Sequence, residues 1–286
     1  MKNVNRKISE ASCESQRQNF SAKEGFTVSK FLMVTLLFAT MTFCGCAGHF
    51  GKSPKLIIGI DEEFAPLSFH NEENELVGFE IELAKEAAQR LGMEPEFKPI
   101  AWNNKREEIT SGNIDLIWNG LDITDERKEY MIFSKPYMND RQVLLVKADD
   151  DFDIYSEHDL EGKIVGVQAG SISDDYINRN EKLKSSFKGY KAYVKFNDVI
   201  DALMTGGIDI IICDEIIARY KMNSYPDKLK IINVKVGIIN ETGIGFRKDN
   251  VELRDKVQAV FDEMIKDGTA KKISLKWFGA DLILYK

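Results

Sequence analysis

The chain has 286 residues, 43% of them hydrophobic and 30% charged, with a formal net charge of −7. That is enough apolar sequence for one large or two small globular domains, and the acidic balance argues against nucleic acid and against a polybasic membrane patch. The three histidines (His49, His70 and His158) and four cysteines lack metal-ligand spacing, so no metal centre and no cofactor is expected.

From the N-terminus, Phe31–Phe43 is an almost unbroken apolar run, preceded by Lys30 and followed by Cys44-Gly45-Cys46. It is too short for a permanent membrane span and fits the apolar core of a signal peptide covering residues 1–45. The mixed-charge stretch before it, residues 1–29, reads either as an extended n-region or as the product of a start assigned too early. Gly45-Cys46 resembles a lipobox, although Phe43 is poorer there than the usual leucine. Lipidation is expected at Cys46; at Cys44 it would put Phe43 where a small residue is needed. Residues 46–53 then read as a linker. Removing residues 1–45 moves the net charge from −7 to −10. Besides Cys46 it leaves only Cys213, in the apolar run IDIIIC, where a small buried thiol is the default.

The remainder contains an internal repeat, which favours two domains. KLIIGID (Lys55–Asp61) and KIVGVQ (Lys163–Gln168) are each a short apolar strand with an internal glycine and a polar end. Downstream of each comes a second pattern, SGNIDLIWNG (Ser111–Gly120) and TGGIDIIICDE (Thr205–Glu215): a helix stopped at glycine, then Ile-Asp, then a buried strand. Between the first pair, GFEIELAKEAAQRLG places Phe79, Leu83, Ala84, Ala87 and Leu91 at helical spacing, with Gly92 suited to the C′ position. Before the second strand pair a helix is predicted over Asp198–Thr205, capped by Asn197. Strands alternating with such helices indicate a mostly parallel sheet in each half. In open sheets of this kind the loops beyond the strands' carboxyl ends carry the ligand site. Those loops are Asp61–Pro66, Asn119–Arg127, Gln168–Ser173 and Cys213–Ile216. A last helix is predicted over Val251–Lys266, with Leu253, Val257, Val260, Phe261, Met264 and Ile265 on one face. Gly268 ends it, and Ile273, Trp277 and Phe278 dock behind.

GIDEEFAPLSF, ELVGFEIELAKEAA, DITDERKEYMIFSKPY, GKIVGVQAGS, GGIDIIICDE, GIGFRK and DGTAKKISLKWFG, in that order, resemble the polar-amino-acid-binding family of bacterial solute-binding proteins, family 3. The resemblance runs from about Lys55 to Gly279. It implies an α/β, two-lobed, periplasmic-binding-protein-like fold with two hinge strands, lobe 1 holding residues 54–142 and 239–286 and lobe 2 residues 143–238. The lobes of such a fold close on ligand like a trap. It further implies a monomeric, exported amino-acid-binding protein that delivers its ligand to an ABC permease and catalyses nothing. With Cys46 lipidated, it would sit on the outer face of the cytoplasmic membrane, or on the periplasmic side in a Gram-negative host.

The family's carboxylate-binding arginine matches Arg127, whose planar fork suits a carboxylate; on composition alone, in DERKE, it reads as a surface residue. Backbone N–H groups of Ser171 and Ile172, at a helix start, are expected to add donors, partly offset by Asp174 and Asp175. Asp214 matches the ammonium-binding aspartate, its competing role being a helix N-cap. Phe64 and Trp102 match the aromatic positions that sandwich the side chain, while Trp118 stays in the core. Asn119, Gly120 and Leu121 would present backbone groups to the ammonium. Asp122 departs from the family's Ser or Thr. Counted with Asp61 and Asp214 against Arg127 alone, it brings the pocket near −2, favouring a basic ligand. Gln168, where some glutamine binders carry lysine, favours a neutral polar one. Two other classes share the fold: dehydratase-type enzymes, which the lack of a nucleophile–base pair disfavours, and ligand sensor domains.

Overall fold

The computed structural model describes residues 53–285. The predicted signal peptide, Cys46 and all but the end of the predicted linker lie outside the described residues.

The first lobe begins with β1 (Lys55–Ile60), then a small three-stranded sheet of β2 (Glu63–Phe64), β3 (Ser68–His70) and β4 (Leu76–Val77). It continues through α1 (Phe79–Arg90), β5 (Glu94–Pro99), α2 (Lys105–Thr110), β6 (Leu116–Ile117), α3 (Asp125–Lys128) and β7 (Met131–Phe133). The chain crosses over on β8 (Met138–Lys147). The second lobe adds β9 (Ile164–Gln168), α4 (Ile172–Arg179), α5 (Glu181–Ser186), β10 (Gly189–Tyr193), α6 (Phe196–Met204), β11 (Ile210–Asp214) and α7 (Glu215–Ser224). It returns on β12 (Leu229–Thr242) to β13 (Gly245–Arg247), α8 (Val251–Lys266) and α9 (Thr269–Phe278).

Each lobe is built on a five-stranded sheet, in the orders β5-β1-β6-β13-β7 and β10-β9-β11-β8-β12. The parallel pairing is confined to three strands in each, β5-β1-β6 and β10-β9-β11. The other two strands of each sheet join antiparallel, and three of these four (β8, β12 and β13) lie on the segments that cross between lobes or follow the return. The crossings lie side by side, with Asp140 opposite Asn240 and Gln142 opposite Val236.

The sequence repeat is a repeated packing device. In the first lobe Asp115 Oδ2 accepts a hydrogen bond from Ile57 N–H at 2.8 Å; in the second, Asp209 Oδ2 accepts one from Ile164 N–H at 2.8 Å. Each aspartate thus satisfies the backbone of the lobe's first parallel strand. The preceding isoleucine fills the space over that strand's glycine. A Cβ on Gly59 would lie 2.6 Å from Ile114 Cδ1, and one on Gly166 would lie 2.3 Å from Ile208 Cδ1. A side chain at either glycine would push the terminal methyl of the isoleucine aside.

Helix α1 forms where its periodicity predicts and buries Phe79, Leu83, Ala84 and Ala87 completely. Helix α8 has the predicted bounds, and Ile273, Trp277 and Phe278 of α9 pack against the same core. The predicted Asn197 cap is corrected. Helix α6 starts at Phe196, with Lys195 in the cap position and no side-chain cap bond, so Asn197 lies inside the helix. Its Oδ1 accepts from Lys221 Nζ at 2.8 Å instead. Phe196 draws the start backwards because its ring is buried against Phe64. Among the described residues no helix is long and apolar enough to cross a membrane.

Candidate functional site

The predicted loops do converge between the lobes. In lobe 1, Asp61 follows β1. Its carboxylate accepts from Glu63 N–H at 3.0 Å and, across the cleft, from Gln168 Nε2 at 2.5 Å. Its own N–H donates to Asn119 Oδ1 at 2.6 Å. Ser68 Oγ lies 2.6 Å from that same oxygen, so the Asn119 side chain ties the loops after β1 and β6 together.

Beyond Asn119 the backbone also braces the loop. Gly120 N–H donates to Glu80 Oε2 at 2.7 Å, and the Tyr137 hydroxyl donates to Glu80 Oε1. The Leu121 carbonyl accepts from Gly243 N–H at 3.0 Å, on the segment after the return crossing. Both bonds hold the loop in place, and the carbonyl oxygens keep lone pairs that an ammonium group could use. Glu80, fully buried on α1, is pushed up to about 7 by its burial. Gly120 adopts φ +52°, which favours glycine, and a Cβ there would crowd the Phe64 ring at 3.1 Å.

Arg127 is placed by the cap of a single helical turn. Thr124 Oγ1 accepts from Arg127 N–H at 3.2 Å, and α3 turns the side chain inward, leaving it 2% exposed. Nη1 donates to the Asp122 carbonyl at 3.0 Å and lies 3.7 Å from Asp122 Oδ2. Nη2 reaches across to the Gly170 carbonyl at 3.4 Å and to Asp175 Oδ2 at 3.6 Å. Nε, like Asp122 Oδ1, is buried with no hydrogen-bond partner. Burial and the neighbouring Asp214 push the Asp122 carboxyl up to about 7.

From lobe 2 come Gln168, Ser171 and Asp214. Ser171 caps α4, its Oγ accepting from Asp174 N–H at 3.1 Å, while its own N–H donates to the Gln168 carbonyl at 3.2 Å. This corrects the expectation of a free Ser171 donor; Ile172 opens the helix as its first residue. Asp174 accepts from Gly170 N–H at 2.7 Å, so it braces the loop, whereas Asp175 faces Arg127. Asp214 occupies the N-cap position of α7 but makes no side-chain cap bond. Its Oδ1 accepts from Gln142 Nε2 at 2.6 Å, which frees it from the capping role. Phe64, Phe196, Gln168, Ser171, Gln142 and Asp214 line one recess between the lobes. On its other side Gln142 borders a cavity of about 430 Å³ between the start of α3, α4 and the return crossing.

This is a two-lobed cleft with a buried guanidinium on one wall and buried carboxyls opposite and beside it. The family model of bacterial extracellular solute-binding proteins, family 3, matches residues 56–280. The chain belongs to that family. It is 33% identical over 227 residues to an L-cystine-binding protein of Escherichia coli, covering 79% of this chain and 84% of the relative. It is 31% identical over 255 residues to an arginine-binding extracellular protein of Bacillus subtilis, covering 86% of this chain and 96% of the relative. Among solved structures, an ABC uptake transporter substrate-binding protein from Streptococcus pneumoniae with bound histidine matches with a TM-score of 0.75 at 32% identity, over 81% of this chain and 95% of that one. An ancestral arginine-binding protein bound to arginine matches with a TM-score of 0.75 at 36% identity, over 80% of this chain and 100% of that one.

In this family 3 protein the cleft contains residues that the sequence motifs did not single out. Lys105 is buried beside Trp102, its Nζ 5.3 Å from the ring centroid, and donates across to the Gly170 carbonyl at 2.6 Å. Burial, and then the nearby Arg127, lowers it to about 7. Arg127 is therefore not the only cation, and the pocket charge near −2 counted from sequence is corrected. Gln142 and Asp140 on β8, Ser173 on α4 and Phe196 also face the cleft; Phe196 meets Phe64 edge-on at 5.8 Å. Phe64 thus packs across the lobes, and Trp102 packs on Lys105. Lys105 sits in NNKREE, which reads as a solvated charged turn, and no sequence signal distinguishes it.

Proposed function

We propose that this chain captures a free amino acid between its lobes and delivers it to an ABC permease. The observation that carries this reading is the buried Arg127 guanidinium in one cleft with the buried Asp122 and half-buried Asp214 carboxyls. An amino acid's carboxylate suits the first and its ammonium the second. The relatives' binding roles support the same reading.

Acidic amino acids fit poorly, because a further carboxylate would join Asp61, Asp122 and Asp214 in the cleft, where Arg127 is taken by the ligand's own carboxylate and the charge of Lys105 is weakened by burial. A basic or neutral polar ligand is favoured, and arginine, histidine, glutamine and cystine head a thermal-shift screen of all common amino acids. A true ligand at a hundred times its dissociation constant should stabilise the fold by about 2.7 kcal/mol. Asp122→Thr should then weaken binding of cationic amino acids more than of glutamine. Tight binding of glutamate by the unmodified protein would sink the charge argument.

We also propose export and lipid anchoring at Cys46, where a diacylglyceryl group gives durable attachment. Cys46→Ser should shift the protein to the soluble fraction or leave it unprocessed. If a cleaved form of the Cys46→Ser variant still sediments with membranes, the anchor lies elsewhere.

A further inference from the structure

The carboxyl end of the cleft contains one acid more than the motifs assign. Asp140 lies on the first crossing strand, buried at 9% exposure. Its Oδ2 accepts from Gln142 Nε2 at 2.9 Å, and that nitrogen also donates to Asp214 Oδ1 at 2.6 Å. One amide group spends both hydrogens on two carboxyls, and Gln142 Oε1 is held in turn by the Ser173 hydroxyl. Asp140 and Asp214 thus meet on one amide nitrogen. Two carboxyls in such contact, away from water, share a single proton, since ionising both puts like charges side by side.

A second observation points to an occupant. Arg127, 2% exposed, has Nε without a hydrogen-bond partner, and Asp122, 4% exposed, has Oδ1 without one. One orphan is a donor and the other an acceptor, and they belong to a pair 3.7 Å apart. A small molecule carrying both an anionic and a cationic group satisfies both.

We propose that Asp140 is a further acid of the ammonium subsite beside Asp214, and that an amino acid binds there by replacing the shared proton with its own ammonium group. The Asp140 O–H bond breaks, the proton passes to solvent, and the ligand keeps its three N–H bonds. The subsite thereby exchanges one positive charge for another. This inference rests on the amino-acid reading above and assigns a further residue to it.

Burial, then the charges of Asp214 and Asp122, hold Asp140 well above the usual carboxylate range, which supports a resident proton. The other titratable groups facing the pair are Asp122 and Arg127 from lobe 1, Asp175 beyond them on α4, Glu80 from α1, and Cys213 with Lys221 behind it. Arg141 turns away to Glu215. Because Asp122 and Glu80 also titrate at about 7, the discriminating measurement is a comparison of variants.

The experiment is titration calorimetry with the amino acid selected by the screen, in buffers of different ionisation enthalpy, from about pH 5 to 8. The unmodified protein should release up to about one proton per amino acid bound, and its Kd should fall with rising pH by up to about tenfold per unit. Asp140→Asn keeps a hydrogen-bond donor toward Asp214 but cannot ionise, so both the release and the slope should shrink by that proton; Asp140→Glu should restore them. Equal proton release and equal slopes in the unmodified and Asp140→Asn proteins would overturn the proposal. Infrared difference spectra of the unmodified protein, which need no variant to fold, should lose a protonated-carboxyl band when the amino acid is added; an unchanged band overturns it as well. If no amino acid binds the unmodified protein at all, the amino-acid reading fails first, and the absence of any binding heat distinguishes that outcome.

Discussion

Arg127→Ala should weaken amino-acid binding by roughly 2–5 kcal/mol, about thirty-fold to several thousand-fold. The loss comes from stranding a desolvated carboxylate on the ligand, not merely from removing two hydrogen bonds. The guanidinium is 2% exposed and already faces into the cleft, so no solvent replaces it cheaply. The variant should nonetheless fold. Asp122 and Asp175, which lose their cation, both have carboxyls raised by burial and can take up protons instead of forcing the lobes apart. Arg127→Lys should recover only part of the loss, because an ammonium group lacks the two-pronged geometry. Calorimetry showing near-native affinity in Arg127→Ala would remove this residue from the site.

The second large effect is on stability, in the absence of added amino acid. Glu80, fully buried, stands at about 7 against an ordinary 4.5, and Asp122 at about 7 against 3.8, each raised first by desolvation. A raised acid holds its proton in the folded state where the unfolded chain has lost it. Its stabilising share is therefore complete below the unfolded pKa and is lost as pH rises through the folded one. Between about pH 4.5 and 7 the fold should lose about 3 kcal/mol through Glu80 alone, at about 1.4 kcal/mol per unit. Lys105, lowered from 10.5 to about 7, works in the opposite direction above that point: the cost of its burial is relieved as pH rises from about 7 towards 10.5. Urea unfolding should therefore show a trough near pH 7. Glu80→Gln, which keeps an acceptor for Gly120 N–H, should shrink the loss between pH 4.5 and 7 by about 3 kcal/mol. A stability that stays flat or climbs over that interval would contradict the assigned protonation states.

The elements most legible in the sequence are those whose signal is local. Helix α1 declares itself by Phe79, Leu83, Ala84 and Ala87 on one face, and α8 by a stripe of the same kind. The Gly and Ile-Asp repeat is legible too, and its cause is visible in the Asp115 and Asp209 bonds to the first strand of each lobe. Contacts joining distant segments are less legible. Gly120 N–H goes to Glu80, Lys105 to Gly170 and Asp61 to Gln168, pairs that no periodicity connects. Asn197 misleads for a related reason: a residue suited to capping is overridden by burial of Phe196 one position earlier.

The sequence by itself determined the alternation of strands and helices and the repeated glycine and Ile-Asp pattern of the two lobes. Those follow from steric and hydrogen-bonding rules acting over a few residues. Only the tertiary structure decided which charges share the cleft and which of them retain a proton. Asp140 and Lys105 look like ordinary surface charges until the two lobes remove them from water. Desolvation and the distance to Asp214, Asp122 and Arg127 set their charge state, and both quantities exist only once the lobes are placed together.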